Sequence, residues 1–240
     1  VNGFNELVVS VELQSFAAGP VTRCITFELW DCTTNAKAVV EQELTFTGGV
    51  ATGVVPVPCG SYDCITARDR LHTLRRTDEG FGIIGTQYVA DFTGNPASGG
   101  DWLIGGNLND DKWIDILDFG VYSWQYMVNA TPGANTTCAT PYPHADISGD
   151  GLVNTGDFTF IQANFLKGHE ANCCGQPGLD EQGPLMEISV AELHRRGLGH
   201  LAVADLNHDG WVDTADVAAY LQGGRPQGAD QPSRVPRPGK

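Results

Sequence analysis

The sequence predicts an α+β chain in two parts: a β-sandwich over residues 1–95, then a helical module of loop–helix repeats over residues 101–222. Three observations predict it. Seven short segments rich in β-branched and aromatic residues crowd the first 95 positions, with turn signals between them. An acidic loop of twelve residues then occurs three times. Apolar residues at helical spacing follow each loop. A chain of 240 residues is long enough to bury two small cores, and 41% hydrophobic residues is a globular composition. A Pro- and Gly-rich tail fills residues 223–240 and is expected to be disordered on its own.

The first part reads as strands in order: LVVSVELQ, VTRCITFELWD, VVEQELTFTG, VATGVVPVP, SYDCITAR, LHTLRRT and FGIIGTQYVADF. Ala18-Gly19-Pro20, Gly48-Gly49, Cys59-Gly60-Ser61 and Asp78-Glu79-Gly80 break them. Seven short strands in this length argue for a sandwich. Residues 94–104 (GNPASGGDWLI) read as the junction.

The repeated loop carries the chemistry. Oxygen-bearing side chains recur at loop positions 1, 3, 5, 9 and 12. They are Asn107, Asn109, Asp111, Asp115 and Asp118 in the first copy, and Asp146, Ser148, Asp150, Asn154 and Asp157 in the second. The third has Asp205, Asn207, Asp209, Asp213 and Asp216. Calcium takes hard oxygen ligands at this spacing, with a backbone carbonyl at position 7 and a sharp turn at position 6. Trp113, Leu152 and Trp211 stand at position 7. Gly151 and Gly210 supply the turn, and Lys112 replaces it in the first copy. Position 8 is β-branched each time (Ile114, Val153, Val212) and suits packing on a partner loop. The spacing therefore predicts three Ca2+ sites. Phe119, Tyr122 and Tyr126, then Phe158, Ile161 and Phe165, then Val217 and Tyr220 predict a short amphipathic helix after each loop. Gly105-Gly106 before the first loop, and Pro141 and Pro143 before the second, exclude an entering helix there.

A loop followed by a helix, with no entering helix and with Asp at position 12, resembles the type I dockerin repeat. The resemblance covers about half the chain and implies that the oxygen positions named above are calcium ligands. This chain has three repeats where a dockerin has two, and its inter-repeat segments carry cysteines. Dockerins usually place hydroxyl residues at loop positions 10 and 11 to choose a cohesin partner. Here those positions hold Ile116-Leu117, Thr155-Gly156 and Thr214-Ala215, so calcium binding transfers well and cohesin recognition transfers poorly. In the first part, VPVPCGSYDCITARD looks like the P-x-G-x-Y turn of carboxypeptidase-regulatory-like and related Ig-like sandwiches.

Seven cysteines without a zinc-type pair point to disulfides and an oxidising compartment. Cys24 and Cys32 share one strand, ~26 Å apart if extended, and cannot bridge each other. An antiparallel register would tolerate Cys24 with Cys64 and Cys32 with Cys59. Cys138 is expected to join Cys173 or Cys174, leaving the third of that set free or paired with another chain. Asn129-Ala130-Thr131 and Asn135-Thr136-Thr137 fit the N-glycosylation pattern, and an unmodified loop fits them equally. Ser189-Val190-Ala191-Glu192 is a capping box that opens a helix ending near Arg196 and Gly197.

Charge is uneven. Residues 1–95 carry net −5, residues 96–224 net −13 and the last sixteen net +3. Such a surface excludes nucleic acid as a ready partner. No apolar run reaches membrane-spanning length. A start at Val1 rather than Met is expected of a mature chain whose signal peptide has been removed. The six histidines form no metalloprotease motif, and no nucleophile elbow, phosphate loop or dinucleotide fingerprint occurs. The expectation is a secreted, non-enzymatic, calcium-binding structural protein that assembles with itself into an extracellular fibre or surface layer. A tether to a cohesin-like scaffold and a carbohydrate-binding module are the alternatives.

Overall fold

The computed structural model describes residues 5–16, 19–128, 135–175 and 183–226. The chain is α+β and rich in sheet. The first 92 residues form β1 (Asn5–Glu12), β2 (Val21–Asp31), β3 (Ala36–Phe46), β4 (Val50–Val57), β5 (Cys64–Arg68), β6 (Arg76–Asp78), β7 (Gly82–Ile84) and β8 (Gln87–Phe92). They build two four-stranded sheets, ordered β4-β1-β8-β7 and β3-β2-β5-β6. β1 runs parallel to β8, and its other neighbour β4 is antiparallel.

Period-two alternation makes these strands, because each strand has one face to bury. β1 turns Leu7, Val9 and Val11 inward, and β4 turns Ala51, Val55 and Val57 inward. Both faces meet Ile25, Phe27, Leu29, Phe46, Ile65 and Phe92 in one apolar cluster. Each such side chain contributes about 1.5–3 kcal/mol on burial. Between β3 and β4 the chain reverses through Gly48 (φ 60°) and Gly49 (φ 84°). A Cβ on Gly49 would lie 2.8 Å from the Phe16 carbonyl oxygen, so glycine is required there for space as well as for φ.

Two strand expectations need correction. LHTLRRT is a strand only from Arg76 onward. Its first residues follow a tight turn, in which Asp69 Oδ1 accepts from Leu71 N (3.0 Å) and the Asp69 carbonyl accepts from Thr73 N (2.8 Å). Leu71 and Leu74 are buried by that turn rather than by a ladder. FGIIGTQYVADF is a hairpin, β7 to β8, reversing at Gly85 (φ 63°).

The remaining elements are α1 (Ile116–Gln125), α2 (Thr155–Asn164), β9 (Glu187–Ser189), α3 (Val190–Arg195), β10 (Trp211–Asp213) and α4 (Thr214–Leu221). The helices expected after each loop are α1, α2 and α4, and the one expected from the Ser189 capping box is α3. A second apolar cluster joins them through Phe119, Tyr122, Phe158, Ile161, Leu193 and Tyr220. Residues 94–104 are packed down: Leu103 is fully buried, and its N and O bond Glu12 O (2.8 Å) and Gln14 N (3.0 Å). No helix among the described residues is long and apolar enough to cross a membrane.

The disulfide expectation is overturned. Cys24 pairs with Cys138, Cys32 with Cys174 and Cys64 with Cys173. Cys59 is the free, exposed thiol, not one of Cys138, Cys173 and Cys174. The strand register explains the error. β2 and β5 are antiparallel with Trp30 opposite Cys64, which leaves Cys24 six residues along the ladder, roughly 20 Å away. All three bridges therefore join the sheets to the later segments. Asn129 and residues 227–240 lie outside the described residues. Asn135 is exposed, and its Oδ1 accepts from Thr22 N at 2.7 Å.

Candidate metal centres

The three acidic loops repeat in geometry as well as in sequence. Position 4 has a left-handed backbone each time: Asp110 (φ 57°), Gly149 (φ 72°) and His208 (φ 60°). Position 6 is also left-handed in the second and third loops, at Gly151 (φ 90°) and Gly210 (φ 89°), where only glycine is comfortable. Lys112 does not share that conformation. The position-5 carboxylate accepts from the position-7 amide throughout: Trp113 N to Asp111 (2.8 Å), Leu152 N to Asp150 (2.9 Å) and Trp211 N to Asp209 (2.9 Å). These side-chain bonds curl each loop around its own centre.

Position 12 closes each loop. Asp118, Asp157 and Asp216 are fully buried. One oxygen accepts from the amide at position 2 or 3: Leu108 N (2.6 Å), Ser148 N (2.7 Å) and Leu206 N (2.7 Å). The other accepts from the amide at position 9: Asp115 N (2.7 Å), Asn154 N (2.8 Å) and Asp213 N (2.9 Å). Asp115, Asn154 and Asp213 in turn cap α1, α2 and α4. One carboxylate thus ties the start of the loop to the first turn of its helix.

Position 8 fastens the loops to neighbours. Ile114, Val153 and Val212 are buried. Ile114 exchanges backbone bonds with Lys167 O (2.9 Å) and Leu166 N (2.7 Å), just after α2. Val153 does the same with Val128 O (3.1 Å) and Met127 N (2.8 Å), just after α1. The first two units therefore hold each other reciprocally. Met127 (φ 63°) and Leu166 (φ 67°) adopt the same unusual backbone to do so.

The donor set suits a hard divalent cation, since every candidate atom is oxygen. Asn107 Oδ1, at position 1 of the first loop, is buried and has no hydrogen-bond partner. Burial pushes the Asp118 carboxyl well above the usual range and raises Asp115 and Asp157 to about 6. Burial also raises Asp111 and Asp216. Burial thus disfavours the charged form of these carboxyls. Cys24, Glu41 and Cys138 also lie close together, but the two cysteines are bonded to each other and offer no thiolate.

A buried polar network docks the loops on the sheets, and sequence reading passed over it. Arg23 is 1% exposed in β2, and its Nη2 donates to the Asp146 carbonyl at 2.9 Å. Asp69 Oδ2 lies 2.7 Å from His72 Nδ1, and His72 Nε2 lies 3.0 Å from His144 Nδ1. Burial alone would raise the Asp69 carboxyl, but His72 and Arg23 hold it low. Burial and then Arg23 depress His72. Asp110, at position 4 of the first loop, forms an ion pair with Arg68 (2.9 Å), the last residue of β5, and accepts from Arg70 Nη2 (2.8 Å) just beyond it. The signal was present: strand alternation sets Arg23 on the same face as Val21 and Ile25.

His169 gives a pH test beside the first loop, where its backbone N–H donates to Lys112 O at 2.8 Å. Its Nδ1 accepts from Arg75 N at 3.1 Å, and burial followed by Arg75 lowers its pKa to about 3. The folded state therefore holds this ring neutral while the unfolded chain protonates it below about 6.5. Stability from His169 is present above pH 6.5 and falls by about 1.4 kcal/mol per pH unit as pH drops toward 3. His169→Gln is expected to flatten that slope between pH 6 and 4 in urea titrations; an unchanged slope overturns the assignment.

Comparison with known protein families, with curated proteins and with solved structures finds no match.

Proposed function

We propose that the chain is an extracellular, calcium-binding structural subunit in which ions at three dockerin-like loops hold a helical module against a β-sandwich. The observation that carries the reading is the thrice-repeated loop closed by a fully buried aspartate. In each loop the side chains at positions 1, 3, 5, 9 and 12 and the carbonyl at position 7 would hold the ion. Its charge would neutralise carboxylates that burial now disfavours. Three cations would offset about six of the thirteen net negative charges on residues 96–224. Three disulfides and calcium of extracellular strength suit an oxidising compartment. No catalytic role is assigned to these loops.

Assembly with further copies is the favoured use. Of the four edges of the two four-stranded sheets, β3 carries Lys37, Glu41 and Glu43, β4 carries Pro56, and Arg76 of β6 is held by Asp101 and Glu170. Charges and proline guard edges against pairing. β7 has neither, and it exposes Ile83 (64%) and Ile84 (67%). Electron microscopy of the full chain in millimolar calcium, then with chelator, tests the reading. Regular fibres that dissolve on chelation are expected. Single small particles in both conditions would sink the assembly and favour a tether to a separate scaffold.

A further inference from the structure

The segment from β9 through α3 has a shape that its sequence hides. Superimposing residue numbers with an offset of 24 sets Ile188 on Val212, Ser189 on Asp213 and Glu192 on Asp216. The equivalence holds in structure. Ile188 and Val212 are both buried, 3% and 1% exposed, and face each other in the β9–β10 pair. Ser189 caps α3 as Asp213 caps α4. Val190 N also donates to Gly210 O at 2.9 Å, which extends the ladder into the ion loop itself.

The ion chemistry of this unit is broken at its centre, although Glu181, Ser189 and Glu192 keep oxygens at positions 1, 9 and 12. Where the third loop has Asn207 and Asp209 at positions 3 and 5, the segment has Gly183 and Leu185. Glu192, at the place of position 12, is held by Arg195 and Arg196 on its own helix. We propose that residues 187–196 are a fourth, ion-free copy of the loop–helix unit, and that Ile188 is a positioning residue for the third site. The first two units hold each other through Ile114 and Val153, each bonded to the segment after the other unit's helix. The third loop has no calcium-binding partner left, so the fourth unit supplies its strand. Loop 3 is also the exposed one: Asn207, His208, Asp209, Gly210 and Trp211 face solvent. A loop with so little covering depends on pairing at position 8 to keep its oxygens in place.

The inference rests on the calcium reading, and the test separates the two. Trp211 and Trp113 stand at position 7 of the third and first loops, while the second has Leu152. Terbium in place of calcium is therefore sensitised by tryptophan at sites three and one only. The part of the luminescence lost in Trp211→Phe reports site three. Titration of the full chain is expected to show saturable signal from both tryptophans. Ile188→Ala is expected to weaken the Trp211-dependent site at least about tenfold, since a truncated core residue loosens what it packs, and to leave the Trp113-dependent signal unchanged. Ser189→Ala, a milder change, is expected to weaken the same site by a smaller factor. Equal terbium affinity at site three in Ile188→Ala and in the parent overturns the positioning role while sparing the calcium reading. No saturable signal in the parent overturns the calcium reading itself. Native mass spectrometry is expected to count three calcium ions; a fourth would refute the ion-free assignment of residues 187–196.

Discussion

Chelating calcium is expected to lower the melting temperature of the full chain by about 15–30 °C. An ion present at a hundred times its dissociation constant contributes about 2.7 kcal/mol, so three sites contribute about 8. For a chain of this length each kcal/mol moves the midpoint by about 2–4 °C. The physical cause lies in the buried carboxylates. Asp118, Asp157 and Asp216 are fully buried, and without a cation their charge is met by backbone amides and opposed by the neighbouring carboxylates Asp111, Asp146 and Asp205. The surrounding net charge of −13 adds repulsion to the ion-free state. Added sodium chloride is therefore expected to recover part of the loss by screening. The later apolar cluster, built on Phe119, Phe158 and Tyr220, should loosen first, because the loops end in its helices. The cluster of the two sheets includes no loop residue. Calorimetry with and without chelator reads the effect directly. An unchanged midpoint would remove calcium from the account.

What was legible in the sequence followed local rules. β2 was read residue for residue, because Val21 to Asp31 alternates and is bounded by turn residues. α1, α2 and α4 were read because each loop delivers its own N-cap and an apolar face. What failed was decided by distant partners. LHTLRRT was read as a strand from its place between turn signals, but Leu71 and Leu74 are three residues apart rather than alternating, and Asp69 holds its first amides in a turn. The cysteine pairing failed because it was sought between neighbouring strands, while the partners lie 109 to 142 residues away. No spacing rule reaches that far. The Arg23 network failed similarly. Alternation placed Arg23 inward, but the groups that receive it, Asp69 and His72 in one turn and the Asp146 carbonyl in the second loop, come from two distant segments. The fourth loop–helix unit escaped because Gly183 and Leu185 stand where positions 3 and 5 of the other loops carry oxygens, which breaks the repeated pattern.

The double substitution Cys173→Ser and Cys174→Ser is expected to destabilise the chain by about 4 kcal/mol, since a native disulfide is typically worth about 2–5 kcal/mol. The two cysteines are adjacent, yet they reach different strands. Cys174 holds Cys32, just past the end of β2, and Cys173 holds Cys64, the first residue of β5. Trp30 and Cys64 are opposite in the ladder, so one short segment clamps two paired strand ends. The bridges close overlapping loops in the unfolded chain, so their contributions should add to less than the sum. Cys64 and Cys173 are 0% and 1% exposed, and serine there would bury a hydroxyl in place of sulfur. Breaking Cys64–Cys173 is therefore expected to cost more than breaking Cys24–Cys138, which lies nearer the surface. Urea titration of the paired variants ranks them. Peptide mapping of the native chain tests the premise: alkylation without reductant should label Cys59 alone, and recovery of a Cys24–Cys64 peptide would refute the cross-linking on which the ranking depends. If the ranking holds, the covalent clamp and the ions act on the same boundary. The disulfides fix the later segments to the strand ends, and the Arg23 and Asp110 contacts seat the first two loops on the sheets. Loss of calcium would then strain a module that cannot drift away, and refolding on adding calcium back should be fast and complete while the bridges are intact.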